Sequence, residues 1–173
     1  MDPETTKTLL ILRHAKSDWT TGVGDFDRPL TPRGRRDARA AGALLTRYDI
    51  DLVWCSAARR TLDTWSEADA GGARATFVDS RRSFYQAWAD ELIAGLRDLG
   101  DDIQTLVVVG HQPTVGELVA TLAQPSALAD QVARHYPTAG LATLTYHGPW
   151  RSFDLGSFRL ERFETARDPG PAN

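Results

Sequence analysis

Thr8-Leu9-Leu10-Ile11-Leu12 is an uninterrupted apolar run that stops at Arg13-His14. A run this short, bounded by polar residues and without alternation, reads as a strand covered on both faces. Leu106-Val107-Val108-Val109 repeats the pattern more cleanly, its β-branched residues ending at Gly110-His111. Leu52-Val53-Trp54-Cys55 is a further run of the same kind, ending at Ser56, and Ala75-Thr76-Phe77-Val78 is a weaker one. Leu141-Ala142-Thr143-Leu144-Thr145-Tyr146 alternates, which predicts a strand nearer a sheet edge.

Helical patterns fill the intervals. Thr31-Pro32 has the form of an N-cap followed by Pro at the first helical position, and Ala38, Ala41, Leu45 and Tyr48 then recur on one face. Ser56 is placed to cap a helix through Leu62 and Trp65. A helix through Leu92, Ile93, Leu96 and Leu99 ends near Gly100. Thr114-Val115-Gly116-Glu117 reads as a capping box opening a helix through Leu118, Val119 and Leu122. Strand and helix alternate, which predicts an α/β fold: a three-layer α/β/α sandwich around a mostly parallel sheet. No repeat or linker divides the chain. The expectation is one domain over residues 7–164, with residues 1–6 and 165–173 as tails.

Composition narrows the function. A chain of 173 residues holds one domain with a sizeable core. Its 20 Lys and Arg are interspersed with 23 Asp and Glu for a net charge of -3, so there is no footprint for nucleic acid and any positive site must be local. The single cysteine, Cys55, excludes an internal disulfide and reads as a buried strand residue. No apolar run reaches membrane-spanning length, and Met1-Asp2-Pro3-Glu4 is unlike a signal peptide, so a cytoplasmic protein without membrane attachment is expected. His135 and His147 have no metal-ligand spacing with any partner, so neither metal nor cofactor is expected. Nothing in the pattern fixes an oligomeric state.

In sheets of this kind ligands bind beyond the carboxyl ends of the strands. That rule selects Arg13 and His14, then Ser56 with Arg59 and Arg60, then Gly110 and His111. Two of the four histidines therefore meet arginines at one edge. The combination suits phosphoryl transfer: guanidinium forks clamp and orient the charged oxygens, helix N-termini add N–H donors, and a neutral imidazole attacks phosphorus. The neighbouring guanidinium groups are expected to lower the His14 pKa and keep the ring neutral. Lys16, Ser17 and Arg59 are possible substrate contacts, and Trp19 lies in the loop after His14. Ser56 reads as a helix cap, and Arg33, Arg35, Arg36 and Arg39 as a solvated helix face.

Leu12-Arg13-His14-Ala15 resembles the R-H-G/A signature of the histidine phosphatase, or phosphoglycerate mutase-like, superfamily. Ser56 to Thr64 resembles its S-x-x-x-R-A/T-x-x-T segment, which places the family arginine at Arg60 rather than Arg59. Val109-Gly110-His111 is similar to its second-histidine motif, Arg28-Pro29-Leu30-Thr31-Pro32-Arg33-Gly34 to its L-T-x-x-G stretch, and Pro137-Thr138-Ala139 to a late loop. The resemblance implies that His14 is the nucleophile and that Arg13, Arg60 and His111 bind the phosphoryl oxygens, with His111 counted among the catalytic groups. The short length and Arg13-His14-Ala15-Lys16-Ser17 resemble the SixA-type phosphohistidine phosphatases most. One feature departs: where many relatives carry an acid in an L-x-E motif, this chain has Phe84-Tyr85-Gln86. An amide has no titrating proton, which favours phosphohistidine or another activated phosphate, on a protein or a small molecule, over alkyl esters. Asp90 or Glu91 would substitute only if their loop folded back. The rival readings are a phosphomonoesterase acting on a small phosphorylated metabolite and a non-catalytic phosphate-binding module.

Overall fold

The computed structural model describes residues 5–169. Six strands form one sheet: β1 (Thr6–Arg13), β2 (Ile50–Ser56), β3 (Ala75–Arg81), β4 (Thr105–Gly110), β5 (Gly140–His147) and β6 (Arg159–Thr165). Their order is β3-β2-β4-β1-β5-β6. The first four in that order pair in parallel, while β5 runs antiparallel to both β1 and β6. The expected sheet is present, and β5 lies near one edge, one strand in, with β6 forming the edge itself.

β1 alternates between two cores. Leu9 and Ile11 pack with α3 (Ala89–Arg97), α4 (Thr114–Leu122) and α5 (Ala127–Arg134) on one face. Leu10 and Leu12 pack with α1 (Pro32–Leu45) and α2 (Arg59–Ala70) on the other. All four side chains are fully buried, which explains the unbroken apolar run. Thr31 caps α1 as expected, its side chain accepting the Gly34 N–H. Two other caps differ from expectation. The residue ahead of α2 is Ala58, and Ser56 Oγ accepts the Ala58 N–H from two residues upstream. Thr114 is already the first helical residue of α4, and its hydroxyl donates to the Ala87 carbonyl, while Gln112 Oε1 accepts from Gly116 N.

Regular structure extends slightly past residues 7–164. Thr6 opens β1, Thr165 closes β6, and Ala166 is buried with its N–H donating to Ala139. The outer parts of both expected tails, residues 1–4 and 170–173, lie outside the described residues.

The loop after β1 is clamped onto α1. Lys16 O accepts from Thr31 N at 2.9 Å, Ser17 bridges to Leu30, and a Cβ on Gly34 would lie 2.1 Å from Lys16 O. Only glycine permits that approach of helix to loop. Gly34→Ala is expected to lower stability by about 1–3 kcal/mol, read from urea unfolding, because a backbone carbonyl must move.

Candidate active site

Parallel pairing sets the site. Arg13 lies opposite Gly110 and Cys55 opposite Val109, so β1, β2 and β4 end at one level. His14 and His111 each follow immediately, and their ring centroids are 5.4 Å apart. His14 N continues the ladder to Gly110 O at 3.0 Å. The carbonyls of Arg13 and His14 share the N–H of Ala139, whose φ of 56° is in the left-handed region. Holding a non-glycine residue there costs on the order of 1 kcal/mol, a strain of the kind that accumulates around functional sites.

His14 is 7% exposed and lines a cavity of about 280 Å³. Its Nδ1 lies 2.8 Å from Ala15 O. A carbonyl only accepts, so Nδ1 carries the proton and Nε2 keeps its lone pair. The Ala15 N–H donates in turn to Thr64 Oγ1, and Thr64 donates to Arg60 O, so the threonine of the second motif fixes the loop that follows His14.

Arg13, Arg60 and His111 line the same cavity. Arg13 donates to Tyr136 O at 2.8 Å. Arg60 donates to the Asp25 carbonyl at 2.7 Å and to its carboxylate at 3.1 Å. His111 Nε2 is 2.8 Å from Ser56 Oγ. Because Ser56 already accepts from Ala58, its own proton is available to His111 Nε2, which leaves Nδ1–H as the ring's donor. Among the described residues, four buried side-chain polar atoms lack a protein partner, and three are Arg13 Nε, Arg60 Nε and His111 Nδ1. Buried polar atoms are rarely left so, and an anion at this spot would supply the acceptors.

Both imidazoles are neutral. Burial is the main cause for His14, whose pKa is pushed down to about 3, with His111, Arg60 and Arg13 adding to the effect against the Ala15 hydrogen bond. Burial first and Arg60 second bring His111 down to about 4. The expected direction is therefore present, but its leading cause is burial rather than the guanidinium charges.

Other expectations divide. Lys16, Ser17 and Trp19 line the cavity, and Trp19 carries the Arg28 guanidinium 3.5 Å above its ring. Arg59 does not line it: its Nε bonds Asp63, one turn along α2, and its side chain is 55% exposed against 7% for Arg60. Successive helical residues point about 100° apart, so only one of the pair faces inward. Cys55 is buried, its thiol pushed up to about 12. The arginines of α1 pair with carboxylates, Arg35 and Arg39 with Glu67 and Arg33 with Asp37. Gln86 is exposed on a neighbouring groove that shares His111 and Gln112 with the cavity. Neither Asp90 nor Glu91 folds back, since Asp90 accepts from Glu91 N and Glu91 accepts from Trp88 N at the start of α3.

Sequence reasoning missed Asp25, Arg28, Tyr85 and the contact between Ser56 and His111. Asp25 opens a 3-10 turn, Asp25–Asp27, and lines the cavity. Its carboxylate bonds Arg28, Arg60 and the Tyr85 hydroxyl, the last at 2.6 Å. The available signal was its position three residues before Arg28-Pro29-Leu30-Thr31, already a motif.

Comparison with known proteins gives a consistent assignment. Residues 9–82 match the model of the histidine phosphatase superfamily (branch 1). An uncharacterized protein of Mycobacterium tuberculosis is 36% identical over 162 residues, which is 90% of this chain and 100% of that protein. A solved structure from Nakamurella multipartitia, named for the phosphohistidine phosphatase SixA, superposes with a TM-score of 0.81 at 31% identity, covering 94% of this chain and 98% of that one. Another SixA-named structure, from Agrobacterium tumefaciens, gives a TM-score of 0.75 at 25% identity over 91% of this chain and 97% of that one. With its motifs at the ends of β1, β2 and β4 and a relative matched along its whole length, this chain belongs to the histidine phosphatase superfamily.

Proposed function

We propose that the protein is a phosphatase in which His14 attacks phosphorus, is itself phosphorylated on Nε2, and is then hydrolysed, with phosphohistidine or another activated phosphate as the substrate. The family and the SixA-named relatives support phosphatase activity. The finer reading is carried by one observation: His14 Nδ1 bonds the Ala15 carbonyl while His14 lines a cavity shared with Arg13, Arg60 and His111.

The chemistry follows from those contacts. The Nε2 lone pair forms the N–P bond as the bond from phosphorus to the leaving group breaks. Arg13, Arg60 and His111 hold the equatorial oxygens throughout, and the donors of the two guanidinium groups act where charge is spread in the transition state. Phosphorylated His14 is an imidazolium, and its Nδ1–H bond to Ala15 O becomes charge-assisted. Water then attacks phosphorus, the N–P electron pair returns to Nε2, and one water proton passes to solvent. His14 is thereby restored in its starting tautomer with no proton moved on the ring. Gln86 offers no proton to a departing alkoxide, which supports an activated substrate over an alkyl ester. A phosphorylated protein and a small phosphorylated molecule both satisfy this chemistry.

His14→Ala should reduce turnover of a phosphohistidine peptide by at least about a thousandfold, since the nucleophile is gone. The wild type, mixed with radiolabelled substrate and quenched in alkaline denaturant, should carry label on a nitrogen that survives base and is lost in acid. Turnover of alkyl phosphates as fast as of phosphohistidine would favour the phosphomonoesterase, and phosphate binding without any turnover would favour the binding module. Arg60→Ala should cost about a hundred- to a thousandfold in kcat/KM, as loss of a charge-stabilising donor does, while Arg59→Ala should cost less than about threefold. The depressed histidines also make stability pH-dependent. Below the ordinary value of 6.5 the unfolded chain takes up protons that folded His14 and His111 refuse until about pH 3 and about pH 4. Urea unfolding should therefore show stability falling as pH drops from 7 towards 4, with a shallower slope in His14→Asn.

A further inference from the structure

We propose that Asp25 selects the leaving group: its carboxylate accepts the N–H of the substrate's imidazole, so that the ring departs as neutral imidazole. This rests on the reading of His14 as nucleophile.

The geometry supplies the first argument. In-line displacement puts the leaving group opposite the attacking atom. His14 and Asp25 line the same cavity, His14 at 7% exposure and the Asp25 side chain at 47%, so a leaving group directed from His14 towards solvent passes the side on which Asp25 is open. Asp25 is the one carboxylate among the residues lining that cavity, beside the cations Arg13, Lys16, Arg28 and Arg60. Its side chain is 47% exposed, in contrast to Arg28 at 6% and Arg60 at 7%, so a ligand in the cavity can reach it; Oδ1 already accepts twice from Arg28 and Oδ2 accepts from Arg60 and Tyr85, so the substrate N–H takes the place of one of these donors. The turn Asp25–Asp27 is held in place: Phe26 meets Tyr85 edge-on at 5.0 Å, Arg82 lies 4.3 Å over Phe26, and the Tyr85 hydroxyl donates to Asp25.

The chemistry supplies the second. Phosphoryl transfer from phosphohistidine to His14 exchanges one imidazole for another. His14 has a partner that stabilises its protonated ring, the Ala15 carbonyl. The departing ring needs a counterpart, or it must leave as an imidazolate. If its far nitrogen is protonated and bonded to a carboxylate, the P–N pair returns to the near nitrogen, the proton stays where it is, and neutral imidazole leaves. Charge and protons balance with no general acid, consistent with Gln86 standing where relatives carry one. The charged and titratable groups facing Asp25 are Arg28 beyond its own turn, Arg60 from α2, Tyr85 before α3 and His111 after β4. The Tyr85 hydrogen bond, followed by Arg28 and Arg60 and working against partial burial, brings its pKa to about 2. It is an anion at neutral pH, an acceptor and not a donor of protons.

The test compares wild type and Asp25→Asn on a phosphohistidine peptide and on p-nitrophenyl phosphate, whose phenolate leaves without a proton. Asparagine keeps the shape and removes the charge, and a thermal melt checks folding. The ratio of kcat/KM on phosphohistidine to that on p-nitrophenyl phosphate should fall about ten- to a hundredfold, the effect of losing a charge-assisted hydrogen bond. A ratio changed by less than about threefold would overturn the proposal, because a residue that merely steadies Arg60 affects both substrates alike. Should the variant misfold, the wild type decides: its kcat on phosphohistidine, relative to p-nitrophenyl phosphate, should hold from about pH 7 to about pH 8.5, where a free imidazole has lost its proton. A fall of about tenfold per pH unit over that range would refute Asp25 as acceptor. Absence of wild-type turnover on phosphohistidine would instead reject the substrate reading itself and the proposal with it.

Discussion

Residue 13 must lie opposite residue 110 for the site to exist. β1 pairs with β4 in that register, β4 pairs with β2, and the three strands finish together. Slipping β1 by one residue would exchange Leu9 and Ile11 with Leu10 and Leu12, and would turn His14 to the other side of the sheet. Both faces of β1 are buried, so apolar burial does not by itself forbid the slip. Shape complementarity with two different helix layers, and the antiparallel pairing of β5 on the other side, make the register unique.

The second constraint is electrostatic. Four cations line a small cavity whose two imidazoles are uncharged, as the proposed nucleophile must be. Burial achieves this more than repulsion does, because an imidazolium loses hydration on being buried in the site whether or not arginines are near. The tautomer is set by backbone, through Ala15 O, and so is insensitive to side-chain substitution around it. Around this core sits a layer of short polar contacts: Thr64 on Ala15, Ser56 on His111, Tyr136 O on Arg13. Two of these contacts come from side chains and one from a backbone carbonyl, and together they hold the groups that line the cavity, which accounts for a serine and a threonine at the two ends of the second motif.

In the proposed reaction, the amide at Gln86 and the carboxylate of Asp25 on the cavity belong together. An alkoxide needs a proton delivered, whereas a phosphorylated imidazole arrives with a nitrogen that can already be protonated. A carboxylate held by Tyr85, Arg28 and Arg60 suits the second task and not the first.

Much of this was legible in the linear chain. Strands β1, β2 and β4 announce themselves as apolar runs because they are buried on both sides, and the site residues at their ends follow from where such sheets bind ligands. The N-terminus of α1 was legible because capping is local: Thr31, Pro32 and Gly34 are adjacent. β6 was not, since Arg159, Glu161, Arg162 and Glu164 leave only Leu160 and Phe163 apolar, and a bulge opposite Thr143 and Leu144 spaces those two by three residues instead of two. The alternation of β5 places it near an edge, and the unseen β6 takes the edge itself. The choice of Arg60 over Arg59 rested on motif spacing, and the fold supplies its cause, the rotation of α2. Asp25 was invisible because its role depends on partners 35 and 60 residues away, at positions 60 and 85. The sequence alone determined which segments become strands and helices, through hydrophobic period and local caps. Tertiary structure alone decided which charged groups meet, because a carboxylate, a phenol and a guanidinium become neighbours only after the chain has closed its loops.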